Sequence, residues 1–113
     1  MKDQCCCPPN CCDMRGLLSF QLLWLLSKRA MNGQELAREL EARKGSKPTP
    51  GTLYPALRDL EDKALIEGTR SGRERIFQLT KTGRIGLVQA CKYFHQVFNE
   101  IFEDCQRGFC QNS

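Results

Sequence analysis

The chain is poor in several of the things that announce chemistry. It has a single histidine, His95, with no carboxylate at helical spacing from it except at Asn99-Glu100, to one side. No nucleophile and base are paired at a useful spacing, and no glycine-rich loop is present to cradle a phosphate, so an enzyme is not expected. Long apolar runs are also missing. The best of them, GLLSFQLLWLLS over residues 16–27, falls well short of the roughly 20 residues that cross a bilayer. A buried helix is its expected fate, with no membrane partner. Residues 1–14 carry no apolar stretch behind a positive start, so no secretory leader is expected either. From Gly16 to Cys91 the only cysteine is Cys91 itself, which excludes a scaffold held by disulfides spread through loops. These absences leave a cytoplasmic protein that folds on its apolar residues, with thiols reduced or metal-bound.

What is present suits one domain with a modest core: 113 residues, 41% hydrophobic and 27% charged. The formal charge of +4 leans weakly towards an acidic partner, so the placement of the basic residues has to decide. The oddity is CCCPPNCC at residues 5–12, which holds five of the eight cysteines.

Four helices and a hairpin can be placed from spacing. Asp13 is a plausible N-cap for a first helix running to about Lys28, with Leu18, Leu22, Leu25 and Leu26 on one face and Phe20 and Trp24 extending it. The bridge Ala30-Met31-Asn32-Gly33 ends it. Asn32 can cap a second helix over 33–43, in which Leu36, Ala37 and Leu40 form a narrow apolar stripe. A third helix begins at Thr49-Pro50, a hydroxyl cap followed by proline. Its core stripe is Leu53, Leu57, Leu60 and Ala64, with Gly51, Pro55, Arg58 and Asp62 opposite, and Pro55 predicts a bend or a late start. Residues 65–69 and 73–79 read as two strands around Arg70-Ser71-Gly72. Thr80 caps a last helix of about 25 residues. In it Leu87, Cys91, Phe94, Phe98, Ile101 and Cys105 make a heptad seam, broadened by Val88, His95 and Phe102. So small a domain cannot cover that seam, and the expected cover is a second copy.

The fold class read from this order is mainly α with a small β-hairpin: a winged helix-turn-helix domain plus a long C-terminal dimerisation helix. Such a domain places its third helix in the DNA major groove and its hairpin tip on the neighbouring backbone. Arg70, Arg73 and Arg75 gather at that tip, and Arg58 lies on the exposed face of the third helix. The expected organisation is a cysteine-rich arm over 1–12, the winged helix over 13–80, the dimerisation helix over 81–107 and a tail over 108–113.

PTPGTLYPAL at residues 48–57 and RDLEDKALI at residues 58–66 resemble the PadR family of transcriptional regulators. The likeness continues through Gly68 to Arg75, Phe77, LTKTGR at 79–84 and MNGQEL at 31–36, and covers about residues 16–102. It resembles the short subfamily with one C-terminal helix. The resemblance implies a homodimer, usually a repressor, that releases a double-stranded operator when an effector binds. It also implies that Thr49, Thr52 and Tyr54 face DNA, that the wing arginines follow the backbone, and that Pro55 is tolerated.

Several residues keep two readings. Tyr54 contacts a phosphate or packs under the hairpin, and Arg58 reads a base edge or pairs with Asp62. Gln34, Lys44 and Lys47 are weaker candidates for backbone contacts. Trp24, Phe94 and Phe98 line an aromatic ligand pocket or form dimer core. Cys91 reads as a small core residue. It lies about 21 Å along the helix from Cys105, too far to share a metal within one chain. Cys7, Cys11 and Cys12, with Cys105 and Cys110 from the last helix and tail, are the metal candidates. Their thiolates suit zinc or another soft metal or metalloid; the other readings are a redox switch and an arm without function. In a dimer that packs the first helix beside the partner's last, Cys11 and Cys12 would approach Cys105 and Cys110. The competing class is a metal- or thiol-handling protein whose winged helix serves protein contacts.

Overall fold

Leucine is so dense in the first helix that no side of it is wholly polar, and this decides where the helix sits. The computed structural model describes residues 15–45 and 47–108. In it α1 (Arg15–Leu26) is followed by β1 (Met31–Asn32), α2 (Gly33–Lys44), α3 (Pro50–Asp62), β2 (Ile66–Ser71), β3 (Glu74–Leu79) and α4 (Lys81–Gln106). Leu18, Leu22, Leu23, Leu25 and Leu26 are all buried, and α2, α3, α4 and β3 pack around α1. Leu23 takes an inward place beside the four leucines expected there. Trp24 does not extend the core face: it is 36% exposed, with Lys28 Nζ 4.8 Å and the Arg43 guanidinium 4.9 Å from its ring centre. The outer side of α1 meets the basic end of α2 at that point, and the indole face attracts both cations.

The helix boundaries follow local chemistry. Asn32 caps α2 through a full capping box: its Oδ1 accepts from the Glu35 amide at 2.8 Å, and its own amide donates to Glu35 Oε1 at 2.9 Å. Gly45, in the left-handed region, ends that helix. In α3, Pro55 neither breaks the helix nor delays its start. It removes only the hydrogen bond to the Gly51 carbonyl, which lies on the exposed side and can turn to water.

The end of α3 corrects one expectation. Ala64 is exposed and outside the helix, with φ at 62°. The Leu65 amide reaches back to the Leu60 carbonyl and the Ala64 amide to that of Glu61. This is the double bond pattern that closes a helix through one left-handed residue, usually glycine. Periodicity put Ala64 in the core, and the closure of α3 turns it out.

The sheet has three strands in the order β1-β3-β2, all antiparallel. The third strand is the residue pair read from sequence as a bridge. Met31 lies opposite Phe77, both buried, while Asn32 lies opposite Ile76. Two residues are too few to show alternation. Between β2 and β3, Ser71 pairs with Glu74, so the turn is Gly72-Arg73, one residue later than expected. Gly72 supplies the positive φ, 64°, that a two-residue loop requires.

The last joint connects the head to its long helix. Thr80 accepts at Oγ1 from the Gly83 amide at 2.9 Å, and its hydroxyl donates to the Ala64 carbonyl at 2.7 Å. Its amide donates to the Leu65 carbonyl at 3.1 Å. One threonine thus starts α4 and clasps the end of α3. Gly83 is buried against that clasp, and a Cβ there would run into the Leu65 carbonyl.

Candidate nucleic-acid interface

Helix α3 turns Leu53, Leu57 and Leu60 inward, which leaves Thr49, Thr52, Tyr54 and Arg58 exposed along its other side. Thr49 occupies the N-cap position, yet its side chain caps nothing: the hydroxyl bonds Thr52 Oγ1 at 3.2 Å. No side chain among the described residues caps this helix, so its positive end points outwards. Tyr54 lies across the start of α2, where its ring occupies the space a side chain at Gly33 would need. Its surface stays 46% exposed. Tyr54 thus packs on the start of α2 and keeps one edge in solvent. The need for glycine at 33 had no signal in the sequence except its place before a Gln-Glu helix start.

The hairpin stands beside α3. Between them is a notch of about 340 Å³ lined by Tyr54, Arg58 and Glu61 from α3, Asn32, Gly33 and Gln34 from α2 and its cap, and Arg73, Glu74 and Arg75 from the wing. Arg58, Arg70 and Arg73 are exposed, and no carboxylate among the described residues pairs with them. Arg58 makes no ion pair with Asp62. Arg75 differs from the other two wing arginines. Its Nη1 and Nη2 donate to Glu61 Oε1 and Oε2 at 3.1 and 2.6 Å, and Nη2 lies 3.3 Å from the Gly68 carbonyl. The hydrogen bonds and the charge of Glu61 raise the arginine's pKa further above its already high value. Asn32 ties the same region together by donating from Nδ2 to Glu74 Oε1 at 2.7 Å.

The other candidates lie along α4. Beyond its first turns this helix touches the head mainly through α1, where Phe20 meets Phe94 with ring centres 4.8 Å apart. Phe94, Phe98 and Phe102 then stack in sequence at 5.6 and 6.0 Å. With Leu17, Cys91, His95 and Ile101 they line an open groove of about 570 Å³ that is almost wholly apolar. Of the expected seam, Leu87 packs against the chain's own core, while Ile101 and Phe102 are 48% and 61% exposed. Trp24 lies outside the groove. Cys91 is exposed, not a core residue as its spacing suggested, because no described residue covers that side of α4. Cys105 is half-buried near the end of the helix. Among the described residues no three metal-ligating side chains converge. Cys7, Cys11, Cys12 and Cys110 lie outside the described residues, as do Asp13 and the rest of the arm. No described helix is long and apolar enough to cross a membrane.

Residues 22–89, more than half the chain, match the profile of the transcriptional regulator PadR-like family. The chain belongs to that family. Solved PadR-like and other regulators share its fold. A transcriptional regulator of Thermoplasma acidophilum, TA0346, superposes with a TM-score of 0.72 at 23% identity, covering 83% of this chain and 94% of that one. RosR of h. salinarum gives 0.66 at 27% identity over 89% of this chain and 100% of that one. A PadR family regulator of Clostridium difficile R20291 gives 0.65 at 25% identity over 77% and 99%. No curated protein matches the sequence significantly. As a PadR-like protein the chain is a DNA-binding transcriptional regulator, a class that is not enzymatic. The family pattern has physical content here: Thr80 and Gly83 of LTKTG form the clasp between α3 and α4, and Gly33 of MNGQEL makes room for Tyr54 of TLYPAL.

Proposed function

We propose that this PadR-like chain is a homodimeric repressor that holds a pseudo-palindromic operator with half-sites about one helical turn, ~34 Å, apart. Residues 13–80 form the DNA-binding head and 81–107 the dimerisation helix. The observation that carries the reading is the uncapped start of α3 together with two unpaired arginines, Arg58 and Arg73, that line one notch, with exposed Arg70 on the same hairpin. Thr49, Thr52 and Tyr54 meet phosphates at the start of α3, Arg58 reads a base edge in the major groove, and Arg70 and Arg73 at the wing tip meet the adjoining backbone. Affinity then falls steeply with salt. Arg73→Gln weakens binding to all duplexes alike and lowers the salt slope by about 0.9, whereas Arg58→Ala relaxes preference at one base position. Gel shifts on duplexes enriched from a random library, repeated across a salt series, test both, and an unchanged slope for Arg73→Gln removes the wing from the interface.

The second copy is expected on the aromatic groove of α4, whose exposed Ile101 and Phe102 form a larger apolar face than a free helix needs. The signal that releases the operator is assigned to the thiols. Cys7, Cys11 and Cys12, with Cys105 and Cys110, bind zinc or another soft metal or metalloid, a choice resting on ligand chemistry alone. Elemental analysis of anaerobically purified protein tests it, together with operator release after Cys11→Ser and Cys105→Ser. Unchanged release in both removes the cysteines from the sensor.

A further inference from the structure

The structure separates the three wing arginines: among the described residues Arg70 and Arg73 are unpaired, and Arg75 is held by Glu61. Arg75 lies along the hairpin, with its guanidinium 5.2 Å from the centre of the buried Phe77 ring and both nitrogens on Glu61 of α3. Gly68 is opposite Phe77 in the register, and a Cβ there would come within 2.5 Å of Arg75 Nη2 and 2.9 Å of Glu61 Oε2. The pair therefore fills the space that the missing side chain at 68 leaves. Arg70 is directly opposite Arg75 across β2 and β3. Two like charges in that relation repel, and the carboxylate of Glu61 offsets one of them.

We propose that Arg75 is a positioning residue and not a DNA contact: with Glu61, over Gly68, it forms a brace that sets the wing at a fixed distance from the recognition helix. Arg70 and Arg73 are then presented to the backbone at one height relative to α3. The inference rests on the DNA reading above and adds to it a division of labour inside the wing. Its consequence runs against simple electrostatics. Glu61 lines the same notch as Arg58 and Arg73, so removing its negative charge should strengthen DNA binding if charge alone mattered. A brace predicts the opposite sign.

The test uses the full chain and a labelled duplex enriched from a random library on the wild-type protein. Glu61→Gln, Arg75→Gln and Gly68→Ala are compared with Arg73→Gln, with each variant shown to be folded at the assay temperature by thermal melting. Gly68→Ala is the key variant, because it changes no charge and its Cβ meets only the movable ends of Arg75 and Glu61. All three brace variants are expected to lose roughly tenfold in affinity, the size typical of coupled neighbouring groups, with an unchanged salt slope. Arg73→Gln loses affinity together with about 0.9 of slope. A variant that melts near the assay temperature is read at a lower temperature, where the folded protein must still show the loss. The proposal is overturned if Glu61→Gln or Gly68→Ala binds as tightly as wild type or tighter. It is also overturned if Arg75→Gln lowers the slope as Arg73→Gln does, since Arg75 is then a phosphate contact. If the wild-type chain enriches no duplex at all, the DNA reading itself falls and the brace has nothing to position.

Discussion

The head and the outer half of α4 are built in opposite ways. In the head, nearly every junction is held by a specific polar contact or a glycine that admits one. Asn32 joins β1, α2 and the wing, Thr80 joins α3 to α4, and Gly33, Gly68 and Gly83 each leave room for a named neighbour. Beyond Phe94, α4 has no comparable joint to its own chain among the described residues. It offers stacked phenylalanines and exposed Val97, Ile101 and Phe102. A surface that must hold one shape against DNA needs its angles fixed from within. A surface proposed to be completed by a second copy needs only apolar area and length.

The largest effect that separates the two regions belongs in the core of the head. Leu22 is fully buried, and Leu22→Ala should cost about 4 kcal/mol, lowering the melting temperature by well over ten degrees, as followed by circular dichroism. The matching lesion in α4 is the double change Ile101→Glu and Phe102→Glu. It should weaken self-association by roughly 3 kcal/mol, because carboxylates would enter an apolar contact unpaired. Sedimentation equilibrium should show single chains, with the core of the head still folded. A double variant that stays dimeric would move the interface off this groove, and one that unfolds the head would erase the contrast drawn above.

Thr80→Ala comes next. It removes the cap of α4 and the hydroxyl bond to Ala64 together, for an expected loss of about 1–2 kcal/mol, while Thr80→Ser keeps both. In the outer half of α4 the comparable polar contact is Asn99 Nδ2 to Glu103 at 3.2 Å along one exposed helix face. Asn99→Ala should stay within about 0.5 kcal/mol of wild type. Urea unfolding of both variants measures the difference, and equal losses would mean that Thr80 is only an ordinary cap.

How far the sequence could be read differed between the same two regions. Periodicity located all four helices, because leucines and phenylalanines at helical spacing report directly on burial. It also showed α4's apolar seam, whose residues need no particular geometry to be recognised. The joints were harder. Asn32 was legible as a cap but not as a strand residue, since two residues carry no alternation. Arg75 looked like Arg70 and Arg73, because composition does not reveal which arginine has a carboxylate 14 residues earlier within reach. Ala64 sat in register with Leu53, Leu57 and Leu60, and nothing in that pattern shows where a helix closes. The signature TLYPAL and LTKTG residues pointed to the family, while their structural reason came only from the contacts of Tyr54 with Gly33 and Thr80 with Ala64.

Ala64 provides a smaller test in the stabilising direction. A left-handed conformation costs a non-glycine residue about 1 kcal/mol, and the side chain is exposed, so little packing is lost on removing it. Ala64→Gly should raise stability by about 0.5 kcal/mol after the greater freedom of glycine in the unfolded chain is set against that gain. A fall in the urea midpoint would show that the methyl group makes a contribution its exposure hides.

The mildest effect is one of pH, and it falls again on a joint of the head. The Asn32 amide, and after it the Arg29 guanidinium at 3.2 Å, hold the Glu35 carboxyl below its ordinary value of 4.5. A carboxylate with a depressed pKa in the folded state adds stability that is complete above the unfolded value and is lost as pH falls through the folded one. Glu35→Gln isolates that charge, because glutamine can still accept from the Asn32 amide in a capping box. The variant should therefore melt below wild type at neutral pH, and the gap should close as the pH drops below about 4.5 towards 3. Wild type and variant melting together at every pH would show that Glu35 acts through its hydrogen bond alone. A gap that widened in acid would mean that the cap is stronger with the protonated group, against the direction that Asn32 and Arg29 impose.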